Sequence, residues 1–137
     1  MTDGAAGDPA SNGIAVILAG MTYSGDHRFP LGAKDQLYHL LYEVPRAPNG
    51  AISHRESEVQ LWGDFIYMVP PFISYYGAFS SNKTLVAEGA NQVRRYREVL
   101  QDPVTKLWRH ILLGSWSEPS LWGTGGPFLL WSSPIAA

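Results

Sequence analysis

The residue best placed to do chemistry is Asp64, a single carboxylate within the apolar and aromatic segment Leu61-Trp62-Gly63-Asp64-Phe65-Ile66-Tyr67-Met68-Val69-Pro70-Pro71-Phe72. If this segment is helical, the positions at i±3 and i±4 of Asp64 hold no cation that could pair with it. Burying an unpaired carboxylate is costly and raises its pKa, so such a group can hold a proton near neutral pH and donate it. The alternative is that Asp64 lies on the solvated side of an ordinary amphipathic helix.

A second set of residues combines flat aromatic rings with hydrogen-bonding groups. Its members are His54, Arg55, Trp62, Gln92, Trp108, His110 and Trp122. Indoles beside histidine, arginine and glutamine suit a sugar acid, because the sugar ring stacks on an indole and an arginine pairs with the carboxylate. Amide and imidazole groups would bind the sugar hydroxyls. The alternative for each tryptophan is a place in the hydrophobic core.

Other kinds of chemistry find little support in the residues. The four histidines, at positions 27, 39, 54 and 110, have neither HxH nor HExxH spacing, and the chain has no cysteine. We therefore expect no metal site, no cofactor and no cysteine nucleophile. No GxSxG or P-loop motif is present, and Gly123-Thr124-Gly125-Gly126 is only a weak glycine signal.

Length and composition bound the class of protein. The chain has 137 residues, of which 45% are hydrophobic and 16% charged, enough for one domain with a core. A net charge of −2 indicates no nucleic-acid partner. The apolar run Gly13–Gly20 is too short to span a membrane and follows acidic rather than basic residues, so we expect no membrane segment or signal peptide. The cellular compartment stays open.

The first half of the chain divides into a tail, a short apolar element and helices. Residues 1–12 are rich in Gly, Ala, Asp and Ser and are predicted to be a disordered tail. Residues 13–20 form a short buried element, either helix or strand. A helix is predicted from about Ala33 to Val44, where Pro45 stops it, followed by a structured loop. A central helix is predicted from near Glu58, with a kink or restart at Pro70-Pro71.

The second half contains one long helix and an irregular end. Capping residues at Ser80–Lys83 predict a helix from about Thr84 to Gln101, and Lys106–Leu113 is predicted to be a short extended segment. Three helices separated by loops favour an all-α fold. The residues expected to share its core are Leu37, Leu41, Val59, Phe65, Val93 and Tyr96.

Four segments in order resemble the glycoside hydrolase family 88/105 proteins, the unsaturated glucuronyl and rhamnogalacturonyl hydrolases. The segments are Val44–Arg55, Leu61–Phe72, Asn91–Arg97 and Leu107–His110. The resemblance implies a partial (α/α)6 barrel, a six-hairpin toroid, over residues 13–126, with a divergent C-terminal tail at 127–137. It also implies an oligosaccharide substrate that ends in a Δ4,5-unsaturated uronic acid.

The resemblance carries over roles residue by residue. Asp64 matches the family's catalytic acid/base in its W-x-D motif, and Trp62 and His110 match substrate-site positions. His54, Arg55, Gln92 and Trp122 are further substrate-binding candidates. In such enzymes the Asp protonates the sugar double bond and activates water, a scheme that differs from the two-carboxylate glycosidase mechanism.

The chain also departs from the family pattern. A complete barrel needs about twelve helices, which at roughly 11–12 residues each plus loops is more than twice this length, so the resemblance predicts a fragment. After Trp122-Gly123-Thr124-Gly125 the family continues with Asn-Gly-Trp, whereas this chain reads Gly126-Pro127-Phe128. Alternatives are a non-catalytic sugar-binding or pseudoenzyme piece and a helical interaction module. Exposed barrel faces would favour self-association.

Overall fold

The computed structural model describes residues 4–123. Its five α-helices within this range are α1 (Gly7–Ser11), α2 (Gly13–Thr22), α3 (Arg28–Tyr42), α4 (Val69–Phe79) and α5 (Lys83–Leu100). Its strands are β1 (Gln60–Trp62), β2 (Arg109–Leu113) and β3 (Glu118–Leu121), and a 3₁₀ helix covers Gly63–Tyr67. The helices dominate, but the sheet corrects the prediction of an all-α fold.

Helices α4 and α5 form a close antiparallel pair. The turn between them is capped by Asn82, whose side-chain oxygen accepts hydrogen bonds from the backbone of Thr84 and Leu85. Two glycines permit the close approach. A Cβ added at Gly77 would lie 2.7 Å from the backbone nitrogen of Val86, and one added at Gly89 would lie 2.7 Å from the carbonyl oxygen of Pro70.

The predicted central helix is wrong over its first half. Residues 60–62 form β1, which pairs antiparallel with β2 through Leu61 opposite Leu112 and Trp62 opposite Ile111. The 3₁₀ helix follows at once and carries Asp64. Pro70 and Pro71 begin α4 rather than bend a longer helix, because proline's missing N–H costs nothing in the first turn.

The N-terminal segment is ordered and packed where a disordered tail was predicted. The backbone N–H of Ala6 donates to the carbonyl of His54, and the N–H of Glu56 donates to the carbonyl of Gly4. Ala6 and Ala10 are buried. The small side chains allow this segment to pack closely against the rest of the protein. A composition typical of a flexible linker therefore occurs here in a packed segment. Residues 1–3 lie outside the described part.

The core joins two helix pairs, α2 with α3 and α4 with α5, to the sheet. Of the residues expected in it, Leu37, Phe65 and Tyr96 are buried, Leu41 and Val59 pack against it while partly buried, and Val93 is half-buried. The apolar run at 13–20 is helical, and within α2 only Gly13 and Ile17 are buried. Val16 is partly buried and packs against the core, whereas Leu18 and Met21 of the same helix are exposed.

The loop between α3 and β1 is fixed on α5. Gln92 of α5 accepts the backbone N–H of Ile52 (2.9 Å) and donates to the carbonyl of Gly50 (3.2 Å). The Tyr96 hydroxyl donates to the carbonyl of Ile52 (2.7 Å). Gly50 has a φ of +84°, a backbone conformation that favours glycine. The end of this loop, at residues 54 and 55, is thereby held beside β1.

Candidate functional site

Trp62, the last residue of β1, lies at the centre of an aromatic cluster. The imidazole of His54 stacks on its indole with ring centroids 4.6 Å apart and planes 19° apart. The guanidinium carbon of Arg55 lies 4.9 Å from the Trp62 ring centroid, within range of a cation–π interaction. His110 meets the same indole edge-on at 6.0 Å. The fold thus brings together four residues that the sequence predicted for a site.

His110 is held from two sides. Its ring stacks on Trp122 with centroids 4.5 Å apart, and its Nδ1 lies 2.8 Å from the Oε2 of Glu118. A proton on Nδ1 is donated to this carboxylate, which leaves Nε2 to face other groups. Hydrogen bonds from Ser120 and from His110 hold the pKa of the Glu118 carboxyl below its usual value.

Asp64 follows Trp62 in the first turn of the 3₁₀ helix. Its Oδ1 is buried and has no hydrogen-bond partner among the described residues. The adjacent Phe65 is fully buried and stacks flat on Tyr96, with centroids 4.5 Å apart and planes 2° apart. Burial, together with the negative charge of Asp64, raises the pKa of the Tyr96 hydroxyl well above its usual value. Asp64 is therefore a partly buried carboxylate with one uncommitted oxygen.

Gln92, which the sequence predicted to bind substrate, does not join this cluster. It is fully buried, and both ends of its amide are occupied by backbone groups of the loop and by Glu88 at 2.7 Å. Trp108, another aromatic candidate, is 3% exposed and belongs to the core. For Trp108, the alternative of a place in the core is the one that the structure shows.

Sequence reasoning missed Glu118, Trp116 and Gln60. Trp116 meets Trp62 edge-on at 5.8 Å, and Gln60 accepts the indole N–H of Trp62 at 2.8 Å. The available signal was the Ser115-Trp116-Ser117-Glu118 segment, which follows an extended run and could have been taken as a hairpin returning to it. Beyond Gly123, the glycine segment and residues 127–137 lie outside the described residues.

Other possible sites have weaker chemistry. Within residues 4–123, no group of three or more His, Cys, Asp or Glu side chains could hold a metal ion, and no helix is long and apolar enough to cross a membrane. A shallow groove on α3, lined by Gln36, Tyr38 and His39 among others, lies apart from the aromatic cluster. We place the candidate site at Trp62 because the aromatic, cationic and acidic groups converge there.

Comparison with known proteins identifies the family. The model of Glycosyl Hydrolase Family 88 matches residues 11–126. The chain belongs to this family. The match contains every residue of the candidate site, and it begins after α1 has nearly ended.

A curated relative and two solved structures add detail. Unsaturated rhamnogalacturonyl hydrolase YesR of Bacillus subtilis (strain 168) is 26% identical over 108 residues, which cover 72% of this chain and 31% of YesR. A possible GH105 family member from Klebsiella pneumoniae is similar in fold with a TM-score of 0.67 and 18% identity, over 80% of this chain and 30% of that one. A possible GH105 member from Salmonella enterica gives a TM-score of 0.56 and 22% identity, over 74% and 28%. The family 88 chain thus spans about three tenths of the length of these relatives.

Proposed function

We propose that this chain carries the acid/base site of an unsaturated uronyl hydrolase. The substrate would be an oligosaccharide, derived from pectin rhamnogalacturonan or a related glycan, that ends in a Δ4,5-unsaturated uronic acid. The observation that carries the proposal is the buried Oδ1 of Asp64, which has no hydrogen-bond partner among the described residues. Asp64 lies two residues after Trp62, whose indole contacts His54, Arg55 and His110. Family membership and the similarity to YesR support it.

In the proposed reaction, Asp64 acts first as an acid and then as a base. Its carboxyl proton adds to C4 of the double bond, and the electrons of the ring oxygen stabilise the positive charge that develops at C5. The carboxylate of Asp64 takes a proton from water as the water oxygen bonds to C5. The resulting hemiketal opens, and the glycosidic bond breaks with release of the remaining saccharide. No second carboxylate is required.

The other residues of the site would bind the sugar. Arg55 suits the carboxylate of the uronic acid, because a guanidinium pairs with a planar carboxylate through two hydrogen bonds. His110, oriented by Glu118, would offer Nε2 to a hydroxyl. Trp62 and Trp122 would supply apolar walls that exclude water. We further propose that the helix pairs α2–α3 and α4–α5 are consecutive hairpins of a partial (α/α)6 barrel. The similarity to GH105 structures supports this fold.

The decisive experiment is an activity assay with unsaturated rhamnogalacturonan disaccharide. It follows hydrolysis by the loss of ultraviolet absorbance of the conjugated double bond. The 137-residue chain and any longer form of the protein should be assayed together with Asp64→Asn. The amide keeps the shape of the side chain but cannot transfer a proton. Positioned acid/base groups contribute about 10²–10⁴-fold, and Asp64 would serve as both acid and base, so we expect turnover to fall by an amount near the upper end of this range with substrate affinity retained. Near-normal turnover by Asp64→Asn would remove Asp64 from the catalytic role.

The second candidate function is a non-catalytic sugar-binding piece. The small share of YesR that the chain spans, 31% of its length, favours this function, because a part of a barrel need not form a complete catalytic site. Binding of the unsaturated disaccharide without loss of absorbance, by both the native chain and Asp64→Asn, would establish this function in place of hydrolysis. Absence of binding by every form would exclude both.

A further inference from the structure

The loop between β2 and β3 presents an indole that the proposed reaction does not use. Trp116 is 48% exposed, and it is the only exposed tryptophan among Trp62, Trp108, Trp116 and Trp122, the four that lie within residues 4–123. His54 and Arg55 contact the Trp62 indole, and His110 stacks on Trp122. The ring contact of Trp116 is an edge contact with Trp62, with planes 78° apart. Its face is thus the one most open to a ligand.

A buried side chain fixes this indole relative to the site. Gln60 is fully buried, and its Nε2 donates to the carbonyl of Trp116 at 2.8 Å. The Oε1 of the same amide accepts the indole N–H of Trp62, also at 2.8 Å. One amide therefore joins both tryptophans, so the position of Trp116 is coupled to the centre of the cluster.

Glu58, two residues before β1, holds the loop in place. Glu58 accepts hydrogen bonds from the backbone N–H of Ser115 at 2.5 Å and from its hydroxyl at 2.9 Å. Gly114, with a φ of +77°, allows the turn that these contacts require. A platform that is held in place before the ligand arrives loses little conformational entropy on binding.

We propose that Trp116 is a stacking platform for the second sugar of the oligosaccharide. This inference rests on the proposed function, because it places the first, unsaturated sugar beside Asp64 and Trp62. The apolar face of a pyranose ring suits an exposed indole.

Binding measured by calorimetry tests the proposal, with Asp64→Asn as the common background so that no ligand is consumed. The ligands are unsaturated galacturonate alone, unsaturated galacturonyl-rhamnose and its saturated counterpart, galacturonyl-rhamnose. Replacing Trp116 by Ala should weaken binding of unsaturated galacturonyl-rhamnose about five- to tenfold, the range expected for one aromatic stacking contact, and leave the monosaccharide within about twofold. Trp116→Phe should retain most of the affinity, which separates loss of stacking from loss of folding.

The control and the remaining outcomes complete the test. Tyr42→Ala removes an aromatic side chain that is 72% exposed on α3, and it should change no affinity. Unchanged binding of unsaturated galacturonyl-rhamnose by Trp116→Ala, or equal weakening for the monosaccharide, would overturn the platform while the proposed function stands. Binding that depends on Trp116 but not on the unsaturated sugar would support the platform and contradict the proposed function.

Discussion

Two polar side chains, Gln92 and Asp64, differ in whether their buried atoms have hydrogen-bond partners. Each hydrogen-bonding group of the Gln92 amide has a partner, so its burial costs little and the loop around Ile52 is held in place. Asp64 has a buried oxygen without any described partner. An unpaired acceptor is unfavourable for stability, and positions where such a cost persists are candidates for function.

Replacing Gln92 by Ala tests how much its amide contributes to stability by holding the loop around Ile52. The change would leave the backbone N–H of Ile52 buried and unpaired, so we expect a loss of about 2 kcal/mol in the free energy of unfolding. The neighbouring Asn91→Ala removes an amide from the helix surface and should change stability by less than about 0.5 kcal/mol. Urea denaturation of both variants measures the difference. A Gln92→Ala protein as stable as the native chain would contradict this account.

At the scale of elements, the separation of α4 and α5 depends on glycine. Gly89 lies where a Cβ would collide with Ser74 and with the carbonyl of Pro70, so the helices approach through their backbones. The close pair positions α4, which continues from the 3₁₀ helix carrying Asp64. Small shifts between these helices would therefore move the candidate acid.

Alanine in place of Gly89 should force α4 and α5 apart. We expect a loss of about 1–3 kcal/mol in the free energy of unfolding, the usual cost of overpacking. Gly32 provides the matched control, because it also lies in a helix and a Cβ there would meet nothing within 4 Å. Gly32→Ala should stabilise the chain by about 0.5–1 kcal/mol through helix propensity. Thermal melting of both variants checks the opposite signs, and a stabilising Gly89→Ala would refute the close contact.

The end of α3 is joined to the loop before β1 by a pH-sensitive contact. His39 lies 2.7 Å from Glu43 and 3.1 Å from Glu56, and these carboxylates raise the pKa of the imidazole, Glu43 most strongly. Because the folded-state pKa is raised, the stabilisation is complete below the unfolded pKa of about 6.5 and is lost as the pH rises through the folded pKa.

Replacing His39 by Gln should therefore lower stability at pH 5 by about 0.5–1 kcal/mol and have little effect at pH 9. Denaturation at the two pH values measures this difference. The exposed His27, which makes no ion pair within 4 Å among the described residues, serves as the control when replaced in the same way. An equal effect of His39→Gln at both pH values would show that the contact does not depend on the charge of His39.

At the scale of the whole molecule, α2 and α3 leave apolar side chains uncovered. The most exposed of these lie on α2 and α3 and in the turn after α2, and they are Leu18, Met21, Tyr23, Leu31, Tyr38 and Tyr42. A chain that spans about three tenths of its relatives has fewer neighbours available to cover such faces. Exposed apolar area of this kind favours association between molecules.

We therefore expect the 137-residue chain to self-associate when it is studied alone. Sedimentation velocity should show species larger than a 15.1 kDa monomer, with their proportion increasing at higher concentration. Replacing Leu18 and Met21 by Ser should reduce this association, because both side chains are about half exposed on α2. A monodisperse native monomer across the concentration range would show that the uncovered faces do not associate.

The sequence by itself determined the features that depend on local chemistry. Pro45 and Asn82 mark helix boundaries because their effects on the backbone act within a few residues, and α3 and α5 end and begin close to the predicted positions. Asp64 and Trp62 could be selected because an isolated carboxylate among aromatic residues is unusual in any fold. The family resemblance was confirmed by the match over residues 11–126.

The tertiary structure decided what depends on partners distant in the chain. Residues 60–62 become a strand because β2, nearly fifty residues later, supplies their hydrogen bonds, and a helical pattern of apolar residues cannot reveal that partner. Gln92 becomes structural because its amide meets Ile52 and Gly50 from a loop some forty residues earlier. Trp116 meets Trp62 through a ring contact and through the side chain of Gln60, across more than fifty residues of sequence. Each contact depends on how separate elements pack, and sequence spacing alone does not contain that information.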